Sequence, residues 1–490
     1  MPEIYKNNLP ENAWRYIKYL SFKMDCAAEQ EEVMWRMDRP KAQKHYDELL
    51  LAQEEKTVEL AKAMPKKVLT RQVSMPKVMT KKDGSASANA IKWYDLLKQQ
   101  KLPKDTAGPI TIVTGYEDGN PGSPSQVKDW LFSLGWRPAT FKFDRNKKTG
   151  EEKQTPQVRY LKGHEKEGEL CDSVLRLAKK DPAVEILDGL TIINHRLGFF
   201  KSMLENSFEV NGKWFVRAEI AGLTNTMRFK HSKPMANLPG VDKPWGEEIR
   251  SCFIAPDDDH VLCGWDMVSL ESTTKRHFMY PHDPDYVHEM SQPGFDEHLD
   301  LAKSAGAITQ QDIDEYNQGT RPDIKPVRKL YKPANYAGIY GVREKTLSRQ
   351  TGLPVSQCKD LLEAYWQRNW SVMKVAKEQF VKTLKDGSMW LKNPVSGFYY
   401  SLRYDKDRFS TLNQGTGVYC FDRMVALARN SGLKFCGQFH DEGAFPVKRG
   451  LEEEARVTLN KCVVDLNKQL DLHIKLDIDM KFGGSYSEVH

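Results

Sequence analysis

The sequence predicts an α+β fold, with helical lobes on either side of a mixed sheet. Three observations predict it. Val261 to Asp266 and Phe435 to Val447 are apolar runs of strand length, and each carries an acid. Residues 290–385 are mostly helical in pattern, broken at Pro322, Pro326 and Pro354. Trp214 to Ile220 and Leu476 to Met480 alternate polar and apolar residues, as half-buried strands do.

Taken in order, Lys41 to Met64 is rich in Glu, Leu, Lys and Ala and reads as an exposed helix. From Pro65 to Asp105, ten Lys or Arg stand against three Asp, a net +7 beside +6 for the entire chain. Met75-Pro76-Lys77 and Lys81 to Ser85 read as loop, with Trp93 to Leu97 a short helix or strand. This stretch is either a solvated loop or an insertion that grips a strand or docks a partner. Asn120 to Ser125 marks a turn, and Ser123 or Ser125 is placed to cap the helix carrying Val127 to Leu131. A helical region is expected from Glu165 to about Glu205.

The bulk numbers exclude some classes. A length of 490 residues allows roughly two to four compact units. With 40% apolar and 29% charged residues, and no apolar stretch of about 18, no membrane helix is expected. Met1 to Lys6 lacks an apolar signal core, so export is not expected. Eight scattered cysteines without a Cys-x-x-Cys pair suit a reducing cytoplasm rather than disulfides or metal clusters. The mild positive charge permits a polyanionic partner.

The chemistry lies in three segments. Asp266 ends one apolar strand, and Asp441 sits in His440-Asp441-Glu442, 175 residues later. Brought together, two such acids could not both stay ionised without a cation between them. Alone, Asp266 also reads as a helix N-cap. Between them Arg328, Lys332, Tyr336 and Tyr340 recur every four residues along one helix face. Ala334, Ala337 and Gly338 suggest close approach of something flat, such as a base pair. Two metal-binding carboxylates opposite a cationic helix are what phosphoryl transfer to a nucleotide needs.

These segments resemble motifs A, B and C of family A DNA polymerases, in the family's order. Asp266, Ser269 and Glu271 are similar to Asp-x-Ser-x-x-Glu, with the Ser one place later. Arg328, Lys332, Tyr336 and Tyr340-Gly341 match motif B, and His440-Asp441-Glu442 matches motif C. Thr226-Met227-Arg228, Asn237-Leu238-Pro239, Gln414-Gly415-Thr416 at a helix start, and His490 at the end extend the likeness. Trp245 to Arg250 resembles the phage replicative branch. The similarity covers roughly residues 30–490.

The resemblance implies a right-hand fold with a palm built on an antiparallel sheet. It divides the chain into an N-terminal extension (1–30), a thumb (31–205) with the basic insertion 65–105, palm (206–289 and 406–490) and fingers (290–405). It implies DNA-templated extension of a primer 3′ hydroxyl by deoxynucleoside triphosphates. Two Mg²⁺ ions would be bound by Asp266, Asp441 and the Met267 carbonyl, with Glu442 just outside. Lys332 would protonate pyrophosphate. Arg328 and His298 would clamp phosphates, Tyr340 and Glu271 would exclude ribonucleotides, and Tyr336 would lie by the sugar 3′ position. Arg228, Asn237, Gln414 and His440 would face the primer-template minor groove. Asp-x-Glu, the proofreading exonuclease motif, occurs nowhere in the chain, which points to a separate exonuclease subunit. The insertion falls where phage relatives dock a processivity factor. Host-cell cytoplasm is the expected location if the chain is phage-encoded. Single-subunit RNA polymerases share the acids and cations, but lack the Glu271-type gate. The chain departs from the pattern at Met227 (usually Gly), Thr273 (often Arg), Ser410 (often Asn) and Pro333, which should bend its helix or shift its start.

Overall fold

The structure, a computed structural model, describes residues 11–145, 149–161, 168–351 and 353–490. Two compact units divide the chain. One comprises Leu51–Arg159 with Glu169–Thr191; the other holds the residues up to Leu50, Tyr160–Gly168 and Ile192–His490.

The larger unit is built on a four-stranded antiparallel sheet. Its order is Gly437–Phe439, Glu442–Lys448, His260–Met267, Ile478–Gly483. The apolar run Val261 to Trp265 is buried throughout because both its neighbours and the helices above cover it. Trp265 stacks on Phe421 of the long helix Arg408–Asn430, at 5.3 Å between ring centroids. Gly264 and Gly443 are required by close packing: a Cβ would lie 2.3 Å from the Val489 carbonyl oxygen and 2.6 Å from Trp265 Nε1 respectively. The run 435–447 makes two strands because His440, at φ 58°, turns the chain between them. Asp266 belongs to the strand His260–Met267, and Ser269 holds the N-cap position of the following helix Leu270–Met279 without a side-chain bond to it, so Asp266 is not an N-cap.

Trp214 to Ile220 is not one strand. Lys213–Val216 pairs into a second sheet with Trp35–Met37 and Phe208–Val210, whereas Ile220–Leu223 leaves to form a hairpin with Phe229–His231. Thr226 to Arg228 is the turn of that hairpin. Met227 holds φ 69° there, in the left-handed conformation that favours glycine. Gln414 to Thr416 lies in the second turn of the long helix, which starts earlier, at Arg408.

Residues 297–368 form a helical layer around a core that includes Leu299, Tyr331, Ala334, Leu347 and Tyr365. Its central helix runs Ile324–Ile339. Pro326 does not break it, because first-turn amides have no intrahelical partner to lose. Pro333 lies inside it without ending it. Pro354 is the N-cap of Val355–Arg368. Ala334, Ala337 and Gly338 are buried, and a Cβ on Gly338 would lie 2.3 Å from the Tyr365 ring. They admit a neighbouring helix, not a base pair.

Residues Glu11–Val33 form a helix against the long helix. Lys23 Nζ donates to Asp422 Oδ1 at 2.7 Å with both side chains buried, and the Tyr19 hydroxyl also bonds Asp422. Gln30 Oε1 accepts from the Gln438 amide at 3.1 Å, next to the motif C turn.

In the smaller unit the basic stretch is loop at Met75 to Lys77 and Lys81 to Ser85, as expected, but folded on either side of them. Lys67–Val73 pairs with Ile110–Glu117, and Ala88–Gln99 is a helix capped by Ser87, whose hydroxyl accepts from the Ala90 amide at 3.1 Å. Trp93, Leu97 and Ile110 make a small core beneath it. Ser123 holds the N-cap position of Pro124–Ser133, but its hydroxyl bonds Ser125 rather than the helix backbone. The helical stretch expected from Glu165 is interrupted: Asp172–Leu175, Ala183–Ile186 and Leu190–Asn206 are separate, with Pro182 between the first two. Residues 165–167 lie outside the described ones. Among the described residues no helix is long and apolar enough to cross a membrane. All eight cysteines are buried and unpaired.

The Lys23–Asp422 pair gives a stability test. Lys23→Met should cost about 3–5 kcal/mol, because it leaves Asp422 buried and uncompensated, and adding Asp422→Leu should recover part of the loss. Thermal denaturation of the single and double variants checks this.

Candidate active site

Antiparallel pairing brings the two acids together. Asp266 lies opposite Glu442 in the ladder, and the Met267 amide donates to the Asp441 carbonyl at 3.0 Å. On the other flank Asp266 faces Asp479 of the last strand. Asp266, Asp441, Glu442 and Asp479 line one cavity of about 820 Å³, together with Asn237 and His440. Partial burial in this cleft, then the charges of Asp441 and Glu442, push the Asp266 carboxyl up to about 7. Burial also raises Asp441, against the opposing pull of Arg228. The two hard carboxylates crowd each other at neutral pH, which is the donor chemistry that a hard dication relieves. Among the described residues no group of three or more His, Cys, Asp or Glu is arranged to hold an ion.

Glu442 is buried. His490 Nδ1 lies 3.0 Å from its Oε2, while among the described residues its Oε1 has no hydrogen-bond partner.

Asp441 also lines a second cavity, with Glu271, His298, Arg328, Tyr336 and Tyr340. Thus the structure gathers most of the residues read from the sequence around Asp441. Arg328 Nε donates to Asp296 Oδ2 at 2.5 Å, and Asp296 also caps the helix Glu297–Ser304. Arg228 pairs with Glu271 at 2.9 Å. Gln414 Nε2 donates to the Tyr340 hydroxyl at 3.1 Å. Lys332 borders neither cavity. It is exposed, forms no ion pair among the described residues, and its Nζ lies 6.0 Å from the Tyr336 ring. Tyr336 is half exposed.

Sequence reasoning missed the support beneath this cavity. Lys275, almost fully buried, pairs with Glu297 at 3.2 Å, and the Ser272 hydroxyl donates to Glu297 at 2.6 Å. The Lys275 ammonium and Ser272 hold the Glu297 carboxyl below its ordinary value despite burial. Asn335, also buried, bonds the Glu297 backbone and His298. Asp479 was hidden within an alternating strand.

A sequence profile described as DNA polymerase family A matches residues 98–488. DNA polymerase I of Helicobacter pylori strain J99 is 23% identical over 316 residues, covering 61% of this chain and 33% of that protein. The DNA-directed DNA polymerase of Enterobacteria phage T3 is 25% identical over 293 residues, covering 56% of this chain and 35% of that protein. The chain thus spans about a third of the length of these relatives. Among solved structures, the POL domain of Pol1 from M. smegmatis, in complex with DNA primer-template and dNTP, aligns with a TM-score of 0.63 at 16% identity. That alignment covers 95% of this chain and 69% of the other, and establishes an α+β polymerase fold.

The raised Asp266 value predicts a titration. Its folded value lies above the ordinary 3.8, so the folded chain binds more protons between about 4 and about 7. This group therefore makes folding less favourable as pH rises through that window. In metal-free protein, carboxyl carbon NMR should show Asp266 titrating near 7, and Asp441→Asn should lower it.

Proposed function

The chain belongs to DNA polymerase family A, and on that premise we propose that it catalyses DNA-templated DNA synthesis. The primer 3′ oxygen attacks the α-phosphorus of a deoxynucleoside triphosphate, the bond to the bridging oxygen breaks, and pyrophosphate leaves. The observation that carries this reading is the placement of Asp266 beside Asp441, with Asp441 shared between the acidic cavity and the one lined by Arg328 and His298.

Asp266, Asp441 and the Met267 carbonyl would hold two Mg²⁺ ions, whose chemistry is to lower the hydroxyl pKa and neutralise the departing phosphates. Arg328 and His298 bind the triphosphate as donors. Arg328 is held by Asp296 in the free chain, so the nucleotide competes with a carboxylate for it. Lys332 gives a proton to pyrophosphate, a role worth on the order of 10²–10⁴-fold. Glu271 and Tyr340 crowd the 2′ position, with Arg228 and Gln414 steadying them. Asn237 and His440, beside Asp441, contact the primer-template.

In this reading the palm is 206–289 with 406–490, and the fingers are 290–405. The exposed cations of 65–105 contact the DNA backbone or a processivity partner. Apart from Lys66 and Lys67, they form no ion pair among the described residues. Phage genome replication in a host cytoplasm, with a separate proofreading subunit, is the biological setting that fits.

Primer extension on a defined template tests the reading. Asp441→Asn should abolish extension and leave primer-template binding within about twofold. Undiminished extension would remove the proposed chemistry, and lost DNA binding would point to a structural role.

Tyr336 yields a sharper expectation. Its phenol can replace the missing 3′ hydroxyl of a dideoxynucleotide. Tyr336→Phe should therefore reduce dideoxynucleotide incorporation by about tenfold, the worth of roughly one hydrogen bond, while ordinary incorporation is preserved. Equal discrimination in the two proteins contradicts it.

A further inference from the structure

Asparagine is a poor residue for a helix interior, because its side chain competes with the backbone for hydrogen bonds. Asn335 nevertheless sits inside Ile324–Ile339 and is 4% exposed. A buried amide must find partners. Its Nδ2 donates to the Glu297 carbonyl oxygen at 2.6 Å and lies 3.1 Å from His298 Nδ1.

These two contacts fix the chemistry of the imidazole. A backbone carbonyl can only accept, so the NH₂ end of the Asn335 amide must face it. The second hydrogen of that nitrogen is then available to His298 Nδ1, which must present its lone pair. In the neutral ring the proton then sits on Nε2. An imidazolium would set a second N–H against the Asn335 donor.

The frame is held on both sides. The Glu297 side chain is anchored by Ser272 and Lys275, on the helix that follows the Asp266 strand. The His298 amide donates to Asp296 Oδ1 at 2.8 Å. Among the described residues Nε2 of His298 has no hydrogen-bond partner, and His298 lines the same cavity as Arg328.

We propose that Asn335 is a positioning residue that holds His298 as the neutral Nε2–H tautomer, so that His298 offers the nucleotide triphosphate one hydrogen-bond donor and no charge. The proposal rests on the nucleotide-binding reading of this cavity. The positive charge lining that cavity then comes from Arg328 and Arg276, with Lys275 paired to Glu297, and pH near neutrality does not alter what His298 donates. The charged and titratable groups facing His298 are Asp296 and Glu297 on its own helix, and Arg328, Lys332 and Tyr336 on the facing one.

Nitrogen-15 NMR of histidine-labelled, nucleotide-free full chain tests it, with the His298 signals assigned by their loss in His298→Gln. The expected spectrum at neutral pH shows Nδ1 unprotonated and Nε2 protonated. In Asn335→Ala the ring should lose that single tautomer and take up a proton at higher pH. A wild-type ring with Nδ1–H, or charged at neutral pH, overturns the proposal. So does an Asn335→Ala spectrum identical to wild type. The wild-type spectrum decides even if Asn335→Ala does not fold.

Nucleotide kinetics supply the second readout. Asn335→Ala and His298→Gln should each raise KM for deoxynucleotides by about tenfold with a smaller change in kcat, and the double variant should be no worse. An unchanged KM in His298→Gln overturns the phosphate-donor role. Absence of extension by the wild-type chain would instead overturn the polymerase reading and leave the tautomer result standing.

Discussion

The site depends on one constraint: backbone pairing sets the segments that carry two acids side by side at the rim of one cavity. The Met267 amide is bonded to the Asp441 carbonyl, and Asp266 lies opposite Glu442. The Asp266 backbone is paired on both flanks, and the Asp441 backbone is held through its carbonyl, so the two chain segments stay side by side. Burial first, and then the charges of Asp441 and Glu442, displace the Asp266 carboxyl upward. Stored repulsion of this kind is a ready source of cation affinity.

The rest of the larger unit keeps this pair rigid and completes its surroundings. The buried Lys23–Asp422 pair ties the first helix to the long helix, and the Gln30–Gln438 contact ties it to the strand before the motif C turn. His490 reaches Glu442 on one central strand, and Gly264 on the other leaves room for Val489. Across the cleft, Glu297 and Asn335 link the helix after Asp266 to the cationic helix. Of the groups that would handle phosphate, His298 is thus positioned by backbone and a buried amide, and Arg328 by its partly buried pair with Asp296.

What was legible in the sequence was whatever local spacing or strand pattern encodes. Asp266 and Asp441 stood out because an acid beside an apolar strand is costly without a reason. Arg328, Tyr336 and Tyr340 were found by their four-residue repeat. The same repeat misled for Ala334, Ala337 and Gly338, since small residues pack helices as readily as they admit ligands, and only Tyr365 decides between the two. Lys332 shares the repeat yet stands outside both cavities. Lys275, Glu297 and Asn335 were silent because their meaning lies in contacts between helices far apart in sequence. The fold of residues 67–117 was hidden by charge: its core is only Trp93, Leu97, Ile110 and a few neighbours.

The most direct test of the central claim is Mn²⁺ binding to the free chain, measured by calorimetry on the wild type, Asp266→Asn, Asp441→Asn and the double variant. The account predicts that either single substitution removes most of the affinity, and that the double variant loses little more, because the two carboxylates act as one site. Binding that survives both substitutions, or losses that simply add, would contradict it.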